Sequence, residues 1–264
     1  SYFVLFVRTE SPDFPCETCP LLPFSAQMKP KIALCSHKRA DCGKFMSRQI
    51  SVHPLPALFE PDDVVGGIAV VVDILRATTT ITHALANGAG DIIPCGTVEQ
   101  ALDIRNDLPA GTCLLGGERG GIRIDGFDLS NSPDDYGPNA VRGKTIGFTT
   151  TNGTRALIRA EKADHVLIGA FVNLSAVAEQ LRNSELPVHI VCAGTNGQIT
   201  GEDVLYAGAL VEQLVESSAE GFDTTDSAQM AFNHWRQESG RGSSEVLEAA
   251  LRRSRGGRNL IALG

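Results

Sequence analysis

The chain has 264 residues, 42% of them hydrophobic, and a formal charge of −8; no apolar run approaches the about eighteen residues that span a bilayer. Residues 1–48 carry a net +3 and the remainder −11, so the body should repel nucleic acid and small polyanions unless a metal ion or local arginines reverse the potential at one spot. This leaves an enzyme-sized protein of one or two packed units, with neither nucleic acid nor membrane as partner and self-association left open.

The apolar patch at residues 2–7 lacks a basic leader and a small-residue cleavage site, so a cytoplasmic protein is expected. Seven cysteines, an odd number, imply no disulfide framework. Cys16, Cys19, Cys35 and Cys42, with His37 between the last two, superficially resemble a zinc module. The second pair is too widely spaced for a knuckle and the segment has no periodic apolar pattern. Residues 1–48 therefore read as an unstructured extension, with Met46 a candidate start because the character of the sequence changes there.

Beyond residue 49 strand and helix signals alternate. A strand from Val70 runs into Asp73; Ala77, Ile81, Ala84 and Leu85 then recur at helical spacing, and Asn87-Gly88 supplies the stop. A second strand is expected from Asp91 to Cys95. Thr97-Val-Glu-Gln100 is a capping box opening a helix through about Asp107. A third strand at Leu114 leads into a polar loop, Gly116 to Gly121.

The same order returns in the second part of the chain. A strand from Thr145 precedes a helix from Gly153, a strand at 165–168, a helix from Leu174 capped by Asn173, and a strand at 188–192. The expected fold is α/β: two similar βαβαβ-type halves, 49–138 and 139–264, with mainly parallel sheets flanked by helices and a ligand cleft between the halves at the strand C-terminal ends. Such copies also arise from convergent α/β patterning. The tail reads as helices, at 204–215, 228–237 and 245–253, with Met230, Phe232 and Trp235 as core.

Four strand ends break into small polar, glycine and charged residues, after Val70, Leu114, Ile146 and Ile190. A strand feeding a polar turn and a helix presents free N–H groups to anions, and such loops gather at one edge of a parallel sheet. Three phosphatase chemistries can be weighed against them. A cysteine nucleophile needs an arginine six positions on, as in Cys113 and Arg119, but Leu114-Leu115 continue the strand and Glu118 would put a carboxylate in the anion loop. An aspartyl nucleophile of haloacid dehalogenase type needs a second acid two residues later, where Asp73 is followed by Ile74 and Leu75.

Magnesium held by carboxylates fits better. Asp73 and Glu118 are the metal candidates, Arg76 and Arg119 lie close by, and Thr149, Thr150, Asn152, Gly153 and Thr154 offer hydroxyl, amide and helix-start donors. The plain alternatives are a helix cap for Asp73 and a surface charge for Glu118. Asp203, beside Glu202, invites the same metal reading, although Thr200-x-x-Asp203 is also a capping arrangement. His83, His165 and Cys192 read as structural.

Taken together, VVVDILRATTTITHALANGA, LLGGERGG, GFDLSNSP, TTTNGTRAL and VCAGTNGQ, in this order, resemble the 2-phosphosulfolactate phosphatase family. The resemblance implies a magnesium-dependent phosphatase converting (2R)-2-phospho-3-sulfolactate to (2R)-3-sulfolactate and phosphate on an α/β fold of two similar halves. By position it puts the catalytic roles on Asp73, Arg76, Glu118 and Arg119. Substrate binding falls on the loops at 149–155, including Arg155, and at 194–198, including Thr195 and Asn196. The readings left beside it are a phosphatase for another small anionic phosphoester and a non-catalytic anion-binding protein.

Overall fold

A computed structural model of the chain describes residues 4–5, 48–216, 222–238 and 244–263. The cysteines at 16, 19, 35 and 42, His37 and Met46 lie outside the described residues. Two residues of the expected extension, Val4–Leu5 (β1), add an edge strand, and Arg48–His53 (β2) begins one residue before the boundary expected from sequence.

A fully buried strand, Ile68–Val72 (β3), forms because every residue in it is apolar and small enough to pack on both faces of a sheet. Ile68, Val70 and Val72 face one core and Ala69 and Val71 the other, the period-2 alternation of a pleated strand. The chain then forms Ala77–Ala86 (α1), ended at Asn87 with Gly88 at φ 89°, and Asp91–Pro94 (β4). Thr97 caps Val98–Asp107 (α2) through Gln100 N–H, while the Gln100 side chain reaches back to Gly96 N–H, one residue earlier than a standard capping box.

Next comes Cys113–Arg119 (β5), and here the sequence expectation needs correction. Gly116 and Gly117 continue the strand. A Cβ on Gly116 would lie 2.2 Å from Tyr136 Oη, and one on Gly117, at φ 143°, would lie 1.9 Å from Thr149 O. These glycines admit a close neighbour, whereas the turn is Gly120-Gly121, both at positive φ, leading into Ile122–Arg123 (β6).

After the short helix Pro138–Val141 (α3) come Thr145–Thr149 (β7), Gly153–Arg159 (α4), His165–Gly169 (β8), Leu174–Arg182 (α5) and Val188–Cys192 (β9). Asn173 does not cap α5 through its side chain. Its amide instead takes Ala170 N–H and donates to Ile168 O. Then follow Gly201–Glu216 (α6), Phe222–Thr224 (β10), Asp226–Glu238 (α7), Ser244–Arg253 (α8) and Arg255–Leu263 (α9). Phe232 packs on the core and Trp235 donates to Glu212, but Met230 is 72% exposed.

The strands form two sheets, in line with the α/β expectation. The larger is parallel, in the order β1-β8-β3-β9-β2-β10; the smaller runs β4-β7-β5-β6, parallel except for the β5–β6 hairpin. Each sheet draws strands from both sequence halves: β3 sits between β8 and β9, and β7 sits between β4 and β5. Helices α1 and α4 fill the space between the sheets, sharing one core with Ile146 and Phe148 of β7 and Val71 of β3. Residues of α5, α6 and α7 cover the outer face of the larger sheet, and α2 covers that of the smaller. Among the described residues no helix is long and apolar enough to cross a membrane.

Candidate active site

Four strand C-termini end at one place between the sheets. At the end of β3, Asp73 N–H donates to Thr78 Oγ1 (3.0 Å) and Asp73 Oδ1 accepts Ala77 N–H (3.2 Å), so this carboxylate caps α1. It also lines a pocket of about 350 Å³. Asp73 thus caps α1 and faces the pocket at the same time. A Cβ on Gly153 would come within 2.8 Å of Asp73 Oδ2, which is why the first residue of α4 carries no side chain.

At the end of β5, Glu118 is 7% exposed and accepts three hydrogen bonds. Oε1 accepts Thr151 N–H (2.7 Å); Oε2 accepts Gly121 N–H (2.7 Å) and the Thr151 hydroxyl (3.3 Å). It is therefore no surface charge, and it ties the β5–β6 turn to the loop leaving β7. Arg119, the next residue along the strand, points the other way, as alternation in a strand requires. Its guanidinium donates to Thr149 Oγ1 (2.9 Å) and Glu118 O (2.7 Å), and it does not line the pocket.

The loop leaving β7 is self-capped, because Thr150 N–H donates to Thr154 Oγ1 (2.8 Å) and Thr154 N–H to Thr150 Oγ1 (3.2 Å). These exchanges occupy Thr150 and Thr154 in holding the loop, Thr149 Oγ1 accepts from Arg119, and Thr151 and Asn152 are left on the pocket wall. Arg155 is exposed and outside that wall. At the end of β9, Asn196 (φ 53°) and Gly197 (φ 71°) form a tight turn closed by Thr195 N–H to Gln198 O (2.9 Å). Asn196 N–H donates to Asn152 Oδ1 (3.0 Å), joining the two loops, and Thr195 and Asn196 both line the pocket.

Asp203 is buried beside the site, outside the pocket lining. It accepts Ile74 N–H and Gly194 N–H (2.9 Å each) and the Thr200 hydroxyl (3.2 Å), stapling the end of β3 to that of β9. Arg76, half-buried, does line the pocket. Burial lowers its proton affinity, and Glu118, Asp135, Asp134 and Asp73 oppose that effect.

The sequence reading missed a wall of the pocket. Gly256, Asn259, Leu260 and Leu263 of α9 line it, at the i, i+3, i+4, i+7 spacing of one helix face. Ser254 caps this helix through Gly257 N–H (3.1 Å) and Glu202 Oε1 takes Gly256 N–H (3.1 Å). Gly256 leaves room for this contact, since a Cβ there would lie 2.1 Å from Glu202 Oε1 and force that carboxylate to move. The signal available in sequence was the Gly256-Gly257 pair ahead of an apolar run.

Electrostatically the site is short of positive charge. Burial pushes the Asp73 carboxyl up to about 7, helped by the charges of Glu118 and Glu202 and opposed by the Ala77 and Gly153 N–H groups. Burial and Asp73 raise Asp203 as well, and Glu202 Oε2 is buried with no hydrogen-bond partner. Accumulated acid on the pocket wall suits a cation. Among the described residues no three of His, Cys, Asp and Glu form a ready-made cage, but magnesium commonly takes only one or two carboxylates and completes its shell with water and phosphate oxygens. Asp73 and Glu118 fit that role.

Cysteine chemistry does not fit. Cys113 and Arg119 stand at opposite ends of the extended strand β5, roughly 20 Å apart at the usual rise per residue, and cannot wrap one phosphate.

The sequence profile of the 2-phosphosulpholactate phosphatase family matches residues 54–264. The chain belongs to this family. A probable 2-phosphosulfolactate phosphatase of Caldanaerobacter subterraneus subsp. tengcongensis is 47% identical over 163 residues, covering 62% of this chain and 67% of the relative. That of Symbiobacterium thermophilum is 42% identical over 203 residues, 77% and 84% of the two chains. That of Thermotoga petrophila is 41% identical over 196 residues, 74% and 79%. The 2-phosphosulfolactate phosphatase family is one of phosphoric monoester hydrolases, and the region it matches contains every pocket residue described above.

Proposed function

We propose that this protein hydrolyses 2-phospho-3-sulfolactate to 3-sulfolactate and phosphate, with magnesium, in the cytoplasm. The observation that carries the reading is the convergence on one pocket of Asp73, Glu118 and Arg76 with the neutral donors of the 151–152 and 195–196 loops. The substrate carries a phosphate, a carboxylate and a sulfonate on three carbons. Such a density of negative charge needs a strong positive counterweight.

Asp73 and Glu118 would hold the magnesium ion, which when bound supplies charge neutralisation at the phosphoryl oxygens. Arg76 adds a guanidinium on the same wall, its charge sustained by the surrounding carboxylates. Thr151, Asn152, Thr195 and Asn196 orient the anion by hydrogen bonding, and α9 limits access of bulk water from its side of the pocket. One water is consumed: its oxygen ends bonded to phosphorus in the released phosphate as the phosphorus–oxygen ester bond breaks, and the alkoxide oxygen leaves with one of the water's protons as the 2-hydroxyl of sulfolactate.

The test is phosphate release from phosphosulfolactate, phospholactate and phosphoglycolate, with chelator and with magnesium restored. Rapid release from phosphosulfolactate, lost on chelation and recovered with magnesium, is expected. Equal rates on all three esters would mean a broad phosphatase; binding without release would mean an anion-binding protein. Release unaffected by chelation would overturn the metal role.

A further inference from the structure

Asn131 lies in the segment between β6 and the turn Pro133–Tyr136. It lines the pocket with Asp73 and Glu118, yet it is only 6% exposed. Its backbone is fixed, since the Thr80 hydroxyl of α1 donates to Asn131 O (3.1 Å). Its side-chain Oδ1 is buried and accepts no hydrogen bond.

An unpaired buried carbonyl oxygen is costly, and native folds keep one mainly where something else supplies the missing partner. The phosphate and sulfonate groups of the substrate are acceptors and offer nothing to such an oxygen. A cation, by contrast, suits it: a carboxamide oxygen is a hard neutral ligand of the kind that accompanies carboxylates around magnesium and calcium.

We propose that Asn131 Oδ1 is the third protein oxygen of the metal site, beside Asp73 and Glu118. This rests on the magnesium-dependent reading given above. Asn131 adds affinity and fixes the ion on the α1 side of the pocket without adding charge.

The experiment is titration of the full chain, free of substrate, with Mn²⁺ as a spectroscopic stand-in, followed by electron paramagnetic resonance and by calorimetry with Mg²⁺. Asn131→Ala should weaken Mn²⁺ binding by roughly ten- to a hundredfold, whereas Asn131→Asp, which keeps an oxygen in place, should bind at least as tightly as wild type. In chelator, Asn131→Ala should melt no lower than wild type, because it removes an acceptor that had no partner. Unchanged Mn²⁺ affinity in Asn131→Ala, with wild type binding normally, overturns the assignment and leaves the magnesium reading standing. Equal weakening in both variants means a packing role and also overturns it. If wild type binds neither ion, the magnesium reading falls and this inference with it.

Discussion

Asp73→Asn preserves the size of the side chain and its acceptor for Ala77 N–H while removing a charge that the fold holds at a cost. In the metal-free protein the carboxyl rises from an ordinary 3.8 to about 7, which at 1.36 kcal/mol per pH unit is about 4 kcal/mol. The folded state binds this proton more tightly than the unfolded chain does. Its contribution is therefore fully present below about pH 4 and is lost as pH rises through about 7. Between pH 5 and pH 8 the wild type should lose roughly 3 kcal/mol from this group. The variant should lose almost none of it, and Asp203 is relieved of its neighbour's charge as well. A mismatch with Gly153 N–H costs the variant about 1–3 kcal/mol, but equally at both pH values. Urea denaturation in chelator at the two pH values reads the difference directly. Phosphate release should fall by orders of magnitude, and magnesium should stabilise wild type at pH 8 but scarcely the variant. Identical pH slopes for the two proteins would refute the argument, since a charge with no buried cost is not the charge described here.

Three further outcomes follow from particular contacts. Gly117→Ala places a methyl 1.9 Å from Thr149 O and should cost roughly 3 kcal/mol or more; in calorimetry the melting temperature should fall by roughly 6–12 °C, and an unchanged melt would mean that β5 and β7 separate freely there. His53, stacked on His189 with its Nε2 3.1 Å from His189 Nδ1, is held down to about 4 by burial first and His189 second, with Asp63 opposing. The folded state binds this proton less tightly, so stability is present above the ordinary value and lost as pH falls from about 6.5 to 4, up to about 3 kcal/mol. His53→Gln in the Asp73→Asn background should flatten that loss in acid unfolding curves; an unaltered curve argues against it. Cys113→Ser should change kcat/KM by less than about twofold, and loss of turnover would reopen thiol chemistry.

Much of this architecture is legible in local sequence. The apolar run at Val70, the stop at Asn87-Gly88 and the Thr97 cap each have one dominant physical explanation, and each element stands where expected. Gly116 and Gly117 are harder, because absence of a side chain serves a turn and a close approach equally well, and only the Tyr136 and Thr149 neighbours decide between them. Glu118 and Arg119 illustrate another limit. Expecting both at the pocket treated the segment as a loop; on a strand, consecutive side chains face opposite ways, so only Glu118 enters. Asp203 was legible as a carboxylate near the metal candidates, but its three donors become visible only when the ends of β3 and β9 are brought together. Sheet membership is not a local property at all, and nothing in the β4 or β8 sequences says that they lie in different sheets.

That interleaving bears on how the chain is made. During synthesis β3 emerges as an apolar, Val-rich strand whose two neighbours, β8 and β9, lie about a hundred residues downstream. At 5–20 residues per second it waits roughly 5–20 s for a partner. β4 likewise waits for β7. A ribosome-bound fragment ending near residue 140 therefore carries no completed parallel sheet, only exposed strand edges of the kind that associate with other chains. Expression of this protein should accordingly depend on slow emergence or on chaperones that shield Ile68–Val72 until the second half arrives.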